Sequence, residues 1–84
     1  MERFEVEFSR NAVKNYKKLP GNYKTLVDLA ILRLSEGLPV DLKPIVGEEN
    51  TFRIRVGKYR LLFEVTGRTI LIVKIGSRGD VYKH

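Results

Sequence analysis

The stretch FRIRVGKYR, residues 52–60, decides the fold, because apolar and cationic side chains alternate along it before a glycine turns the chain back. Alternation with a period of two residues is typical of a strand with one buried and one exposed face. Gly57 and Lys58 suit a two-residue hairpin loop that opens with glycine. Such a loop places Arg55 directly opposite Arg60 on the neighbouring strand.

In this hairpin the side chains of Arg55 and Arg60 face each other about 5 Å apart. At an effective dielectric constant of about 20, the repulsion between two such charges is about 3 kcal/mol before water screens it. Residues 52–60 contain no acidic side chain that could offset the repulsion. We therefore expect an anion to bind between the two arginines.

The hairpin continues into a three-stranded antiparallel meander. Strands are predicted over residues 51–56, 59–65 and 69–76, with a second turn around residues 66–68. The last of these strands is apolar on both faces. This composition places it in the middle of the sheet.

The faces of the last strand decide which further charges join the arginines. The residues predicted on its core face are Leu71, Val73 and Ile75. Lys74 then lies on the opposite face and continues the row of Arg55 and Arg60 across three strands. Arg53, two residues before Arg55, lies on the same face. The meander therefore predicts a cationic surface.

The first half of the chain predicts one strand and a helical hairpin. Residues 4–8 alternate apolar and acidic side chains, as a strand does. Ser9 is a suitable N-cap for a first helix that ends near Leu19, and a second helix is predicted from about residue 22 to residue 36. Residues 37–50 are predicted to cross to the sheet irregularly. The predicted fold is α+β, a single domain of 84 residues in which a small curved sheet packs on two helices.

The second helix has a broad apolar side and one leucine outside it. The side predicted to be buried comprises Leu26, Val27, Leu29, Ala30, Ile31 and Leu34. Leu32 projects nearly opposite, beside Asp28 and Ser35, where water is expected. A single exposed leucine is common on protein surfaces, but it can also mark a surface that a partner covers.

The balance of charges favours a polyanionic partner. Sixteen Lys and Arg residues against ten Asp and Glu give a net charge of +6, as in proteins that meet phosphate backbones. Lys14, Lys17 and Lys18 share one face of the first helix. This face is either simply solvated or a secondary contact to RNA phosphates.

The composition argues against several classes of chemistry. The chain has no Cys and a single His, at residue 84, which leaves no disulfide or thiolate nucleophile and argues against a zinc site or a Ser-His-Asp triad. Residues 70–73, one of the longest apolar runs, are too few to cross a bilayer. The N-terminus lacks the apolar core of a signal peptide. A cytoplasmic protein is expected. The absence of Cys, Gln and Trp amid many charged residues favours a heat-adapted organism.

In order and spacing, these elements resemble the RelE/ParE toxin superfamily, and its RelE branch in particular, over essentially the whole chain. In members of that branch, a strand and a helical hairpin come first. They are followed by a basic-apolar-basic pattern, a turn, Tyr-Arg with apolar neighbours, and a tail in which Arg precedes Val-Tyr. The matching segments here are Arg53-Ile54-Arg55, Tyr59-Arg60-Leu61-Leu62-Phe63, Ile75-Gly76-Ser77-Arg78 and Val81-Tyr82.

The resemblance implies a toxin that cuts messenger RNA in the ribosomal A site, without metal or cofactor, by attack of a ribose 2′-hydroxyl on the adjacent phosphate. Arg60 would clamp the equatorial phosphate oxygens, while Arg53 and Arg55 hold the scissile and flanking phosphates. Arg78 would sit at the leaving 5′-oxygen, and Tyr82 would stack on a base or move the 2′ proton. The further RNA-binding candidates are Lys74, Lys58, Lys14, Lys17 and Lys18.

The proton chemistry departs from the family pattern, because well-studied relatives carry lysines where this chain has Arg53 and Arg55. Arginine does not deprotonate readily enough to be a good base. The candidate base is then Tyr82, whose ionised form neighbouring arginines would favour. A pair formed by Glu64 and His84, of a kind that some related toxins use, is the alternative.

Two other functions stay open. A ParE-like inhibitor of DNA gyrase would share the fold, and a non-catalytic domain that binds RNA or the ribosome would use the same arginines. The resemblance also implies a RelB-like antitoxin as partner, besides the ribosome and messenger RNA, with operator DNA bound only through the toxin–antitoxin complex and no membrane. The candidate antitoxin contacts are Leu32, Leu62 and Ile72.

Overall fold

The protein folds into a mixed five-stranded sheet with two helices packed on one face, in a computed structural model that describes residues 3–77. The elements are β1 (Glu5–Phe8), α1 (Arg10–Lys17), α2 (Gly21–Ser35), β2 (Leu42–Pro44), β3 (Thr51–Val56), β4 (Tyr59–Thr66) and β5 (Thr69–Ser77). The strand order is β1-β5-β4-β3-β2, with β1 parallel to β5 and the other neighbours antiparallel. The predicted α+β fold, with its strand, helical hairpin and meander, is confirmed.

Helix α1 begins at the predicted N-cap. The Ser9 side-chain oxygen accepts a hydrogen bond from the backbone N–H of Ala12 at 3.0 Å, and the Ser9 hydroxyl donates to the carbonyl of Val73 in β5, also at 3.0 Å. The side-chain carbonyl of Asn15 accepts a hydrogen bond from the backbone N–H of Ile75 at 2.9 Å. These bonds fix α1 against β5.

A β-bulge interrupts the pairing of β4 with β5. The register passes from Leu62 opposite Lys74 to Phe63 opposite Ile72, so Val73 has no partner of its own on β4. A bulge of this kind shifts the side-chain alternation of the strand by one residue.

The bulge decides which residues of β5 face the core. The buried residues of the strand are Ile70, Ile72 and Ile75. Leu71 and Val73 were predicted on the core face and are only half-buried, so that prediction was wrong. A strand that is apolar on both faces has no alternation in its sequence from which a bulge could be recognised.

The core lies between the helices and the inner face of the sheet. Its buried side chains are Ala12, Leu19, Val27, Leu34, Ile54, Val56, Leu61, Phe63, Ile70, Ile72 and Ile75. From the predicted apolar side of α2, Val27 and Leu34 are buried, but Leu26 and Leu29 are 44% and 47% exposed. The apolar side of α2 is therefore wider than the surface the sheet covers, and the prediction was too broad.

The crossing segment, residues 37–50, was predicted to be irregular, but it contains the edge strand β2. Residues Leu42–Pro44 pair antiparallel with Phe52, Arg53 and Ile54 of β3. Pro44 is tolerated there because an edge strand is paired on one side only. The three residues of β2 are exposed and include a proline, so their sequence carries no periodic pattern that predicts a strand.

Among residues 3–77, no helix has the length and apolarity needed to cross a membrane.

Candidate functional site

The predicted hairpin forms the connection between β3 and β4. Arg55 pairs with Arg60, and Val56 pairs with Tyr59, so the predicted register is confirmed. Gly57 has a φ of +59°, in the left-handed region that favours glycine. The glycine that opens the loop therefore sets the register that brings the two arginines together.

Two tyrosines anchor the hairpin to α2. The rings of Tyr23 and Tyr59 meet edge to face, with centroids 4.7 Å apart. The Lys58 ammonium lies 5.8 Å from the centroid of each ring, within the range of a cation–π contact. Lys58, a predicted RNA contact, is therefore held at the hairpin tip.

Asp41 is the counterion that sequence reasoning missed. The Arg55 Nε–H donates to Asp41 Oδ2 at 3.0 Å, and the backbone N–H of Arg55 donates to the Asp41 carbonyl at 3.0 Å. Asp41 Oδ1 lies 3.9 Å from Nη1 of Arg53. The expectation that no acid offsets the facing arginines was wrong, because the chain before β2 carries Asp41 to the edge of the hairpin from fourteen positions away.

The surroundings of Asp41 favour its charged form. The hydrogen bond from Arg55 is the main cause that lowers the pKa of this carboxyl below its usual value, although partial burial opposes the effect. The charges of Arg55, Arg53 and Lys43 lower the pKa further. Asp41 is therefore a carboxylate at neutral pH and balances part of the cationic surface.

Arg53 is buried, unlike the other arginines of the hairpin. It is 8% exposed, and its Nη1 has no hydrogen-bond partner among the residues that the structure describes. The distance of 3.9 Å to Asp41 is too long for a hydrogen bond but within ion-pair range. By contrast, the Arg55 side chain is 51% exposed. Arg53 is thus placed to support Asp41, whereas Arg55 is accessible to a ligand from solution.

The cationic surface has a different layout from the predicted single row. Arg60 of β4 lies opposite Gly76 of β5, whereas Lys74 lies opposite Leu62. Since Leu62 also pairs with Arg53, Lys74 belongs to the row of Arg53. Lys74 was predicted to continue the row of Arg55 and Arg60, and this prediction was wrong. The β4–β5 register places Gly76, two residues further along the strand, in that position.

The lysines of the first helix do not join this surface. Lys14 and Lys17 of α1 and the following Lys18 are exposed, as predicted. Helix α1 packs on the inner face of the sheet, whereas Arg55 and Arg60 alternate with core residues and point to the outer face. The sheet therefore separates the three lysines from the arginine pair.

The predicted antitoxin contacts have three different environments. Leu32 is 53% exposed, as predicted, and Leu62 is half-buried. Ile72 is fully buried in the core, because the bulge turns it to the inner face, so it is not an exposed contact.

Leu32 also borders an open apolar groove of about 660 Å³ between β1 and the helices, which the sequence did not predict. The groove is lined mainly by Val6, Phe8, Val13, Tyr16, Ile31 and Leu32.

Several predicted residues lie outside the described residues, namely Arg78, Tyr82 and His84. Glu64, the other member of the alternative acid–base pair, is exposed on β4 opposite Thr51 and Leu71. Within residues 3–77, no three His, Cys, Asp or Glu side chains converge in a way that could hold a metal ion. The described part of the site therefore supplies cationic groups and one counterion.

Comparison with known proteins agrees with this architecture. The family model described as the ParE toxin of type II toxin–antitoxin systems matches residues 6–82. The toxin RelE3 of Methanocaldococcus jannaschii is 34% identical over 85 residues, which cover 95% of this chain and 97% of the relative.

Two solved complexes contain chains of the same fold. A chain of the RelB–RelE antitoxin–toxin complex from Methanococcus jannaschii superposes with a TM-score of 0.81 at 34% identity, covering 92% of this chain and 95% of that one. A chain of the RelBE2 complex from Mycobacterium tuberculosis gives a TM-score of 0.73 at 33% identity, covering 90% and 99%. The chain therefore belongs to the RelE/ParE superfamily, as a RelE-type toxin of a type II toxin–antitoxin system.

Proposed function

We propose that this toxin is a ribosome-dependent endoribonuclease that cuts messenger RNA in the A site without a metal ion. A ribose 2′-hydroxyl attacks the adjacent phosphorus, and the bond to the 5′-oxygen of the next nucleotide breaks. The products are a 2′,3′-cyclic phosphate and a 5′-hydroxyl. The observation that carries the proposal is the pairing of Arg55 with Arg60 on the outer face of the sheet.

The arginine pair suits the charge that develops in this reaction. The phosphorane-like transition state carries more negative charge on its equatorial oxygens than the ground state, and a preorganised cation stabilises that difference. A guanidinium can bind two such oxygens at once. Arg60 is the proposed clamp because, among the salt bridges within residues 3–77, none involves it. Arg55 holds the flanking phosphate.

The remaining roles follow from the family resemblance and from charge. Arg53 supports the site from its buried position, Arg78 is proposed at the leaving 5′-oxygen, and Tyr82 is proposed as the base. Lys74 and Lys58 contribute phosphate contacts on the outer face and at the hairpin tip. Lys14, Lys17 and Lys18, on the helix side of the sheet, are proposed as a secondary contact to ribosomal RNA.

The proposed partner in the resting state is a RelB-like antitoxin. Similar toxins form complexes named RelB–RelE and RelBE2, which supports a partner of this class. The apolar groove beside Leu32 offers a surface for an apolar segment, and Leu62 is a second proposed contact. Operator DNA is proposed to bind only the toxin–antitoxin complex.

The proposed activity is tested with purified toxin on ribosomes programmed with a message, in the presence and absence of EDTA. New 5′-hydroxyl ends that appear in the A site and persist with EDTA are the expected result. Arg60→Ala should lower the cleavage rate by about 100-fold or more, the usual cost of losing a group that stabilises developing charge. Arg10→Ala removes an exposed arginine from α1 and serves as the control. No cleavage above background would refute the activity.

A second candidate function is inhibition of DNA gyrase, which the description of the matching family model as a ParE toxin favours. The same protein preparation, incubated with gyrase and supercoiled DNA, distinguishes the two. Accumulation of gyrase-dependent double-strand breaks, together with no cleavage of ribosome-bound message, would establish the second function in place of the first.

A further inference from the structure

We propose that Asp41 is a built-in competitor for phosphate at Arg55, which holds the guanidinium in the free protein and must leave it when nucleic acid binds. The inference rests on the proposed function in one respect, that the ligand of the arginine pair is an RNA phosphate. It adds a residue that lowers the affinity of the site and so sets how readily free RNA is bound.

The geometry makes Asp41 an occupant of the site and not a distant neighbour. Its carboxylate accepts the Arg55 Nε–H at 3.0 Å, while its backbone carbonyl accepts the Arg55 backbone N–H at 3.0 Å. The second bond holds Asp41 beside Arg55 whatever its side chain does. A carboxylate and a phosphate use the same guanidinium donors, so a phosphate that binds Arg55 side-on, through Nε and one terminal nitrogen, displaces the Asp41 oxygen from Nε.

The exposure of Arg55 and Asp41 allows a phosphate to replace the Asp41 carboxylate at Arg55. The side chains of Arg55 and Asp41 are 51% and 46% exposed, and an ion pair so accessible to water is weak. A phosphate that contacts Arg55 and Arg60 together can hydrogen-bond to two cations, whereas within residues 3–77 the Asp41 carboxylate hydrogen-bonds only to Arg55. The released carboxylate keeps a cationic neighbour, since Arg53 lies 3.9 Å from its other oxygen.

The competitor role and a purely positioning role predict opposite signs. If Asp41 only positions Arg55, its loss loosens the guanidinium and weakens phosphate binding. If Asp41 competes with phosphate, its loss strengthens binding. Asp41→Asn is the informative change, because the amide oxygen can still accept the Arg55 Nε–H while the negative charge is gone.

The test measures binding of a fluorescein-labelled 2′-O-methyl RNA hexamer, which cannot be cleaved by 2′-hydroxyl attack, by fluorescence anisotropy at low salt. Asp41→Asn should bind it about two- to fivefold more tightly than the wild type, the range expected for losing one exposed charge pair. Glu7→Gln is the matched control, because it removes the same charge from an exposed site on β1 at the opposite edge of the sheet. The affinity of Glu7→Gln for the hexamer should change by less than the affinity of Asp41→Asn does.

A second comparison assigns the effect to Arg55. The double variant Asp41→Asn/Arg55→Gln should bind the hexamer no more tightly than Arg55→Gln alone, since the competition has lost its target. In the wild-type protein, ¹³C NMR should show that the hexamer raises the pKa of Asp41, because the carboxylate exchanges a guanidinium for a phosphate neighbour. This measurement does not depend on the stability of any variant.

Equal or weaker binding by Asp41→Asn, an equal gain in Glu7→Gln, or an unchanged Asp41 pKa would each overturn the proposal. So would the absence of measurable binding in both the wild type and Asp41→Asn. Because the hexamer is not a substrate, the outcome is separate from catalysis. A protein that shows the competition but cuts no message would refute the ribonuclease activity alone, and a ribonuclease without the competition would refute only the role of Asp41.

Discussion

Tyr23 on α2 packs edge to face against Tyr59 on β4, with ring centroids 4.7 Å apart, and the Tyr23 ring covers the position where a Cβ on Gly57 would lie. The hairpin that carries the arginine pair is therefore joined to the helix layer at its tip. Gly57 meets two requirements, a positive φ and the close approach of an aromatic ring.

Gly57→Ala should destabilise the protein more than Gly67→Ala does. Both glycines have a φ of +59°, so alanine costs about 1–2 kcal/mol at either position. At Gly57 the new Cβ would lie 2.8 Å from the Tyr23 ring, whereas at Gly67 no atom of the described residues lies within 4 Å of it. We expect about 1 kcal/mol or more of additional loss at Gly57, measured by urea denaturation of both variants. Equal losses would show that the ring moves aside freely.

The contact of Asp41 with Arg55 should make the folded state more stable as the pH rises through the acid range. The pKa of Asp41 is lower in the folded state than in the unfolded state, so unfolding takes up a proton between the two values. The stabilisation is complete above the ordinary carboxyl pKa and is lost as the pH falls through the lower, folded pKa. Asp41→Asn should flatten this part of the curve of unfolding free energy against pH. A curve with the wild-type slope would contradict the expectation.

Tyr16 should give the stability of the folded state a second dependence on pH, in the alkaline range. Its hydroxyl donates to Asp28 Oδ1 at 2.7 Å, and this bond is the main cause that raises the pKa of Tyr16. Because the folded pKa is the higher one, the stabilisation is complete below the ordinary tyrosine pKa and is lost as the pH rises through the folded value. Thermal melts of Tyr16→Phe and the wild type should therefore converge at high pH, with the wild type more stable at neutral pH.

Leu32→Ser should weaken antitoxin binding with little effect on folding. Leu32 is 53% exposed beside the apolar groove, and surface substitutions usually change the unfolding free energy by about 0.5 kcal/mol or less. Val46→Ser is the control, since Val46 is 97% exposed and does not line the groove. Co-purification of each toxin variant with tagged antitoxin is the measurement. Equal recovery of the two variants would exclude Leu32 from the interface.

The hairpin and the first helix could be predicted from sequence because their signals are local. Gly57 fixes a loop of two residues, and the register of Arg55 with Arg60 follows from that loop alone. Ser9 caps α1 through a hydrogen bond to a residue three positions away. In both cases the deciding interaction lies within a few residues of the chain.

The remainder of the site depends on contacts between distant segments. Asp41 reaches Arg55 through an edge strand with no periodic pattern, and the burial of Arg53 is not evident from a residue type that is usually exposed. The face of Ile72 depends on a bulge in a strand whose two sides are equally apolar. Sequence patterning therefore identified the cationic surface, but not the carboxylate that occupies it.

The bulge at Val73 makes the length of β5 critical. The Val73 carbonyl accepts the hydroxyl proton of Ser9, while the next residue, Lys74, enters the register that continues to Gly76 beside Arg60. Deleting one residue here would either detach the cap of α1 or move every following side chain to the wrong face. The start of the first helix and the charges of the outer face are therefore coupled through the count of residues in one strand, so homologous toxins should tolerate substitutions at this point more readily than insertions or deletions.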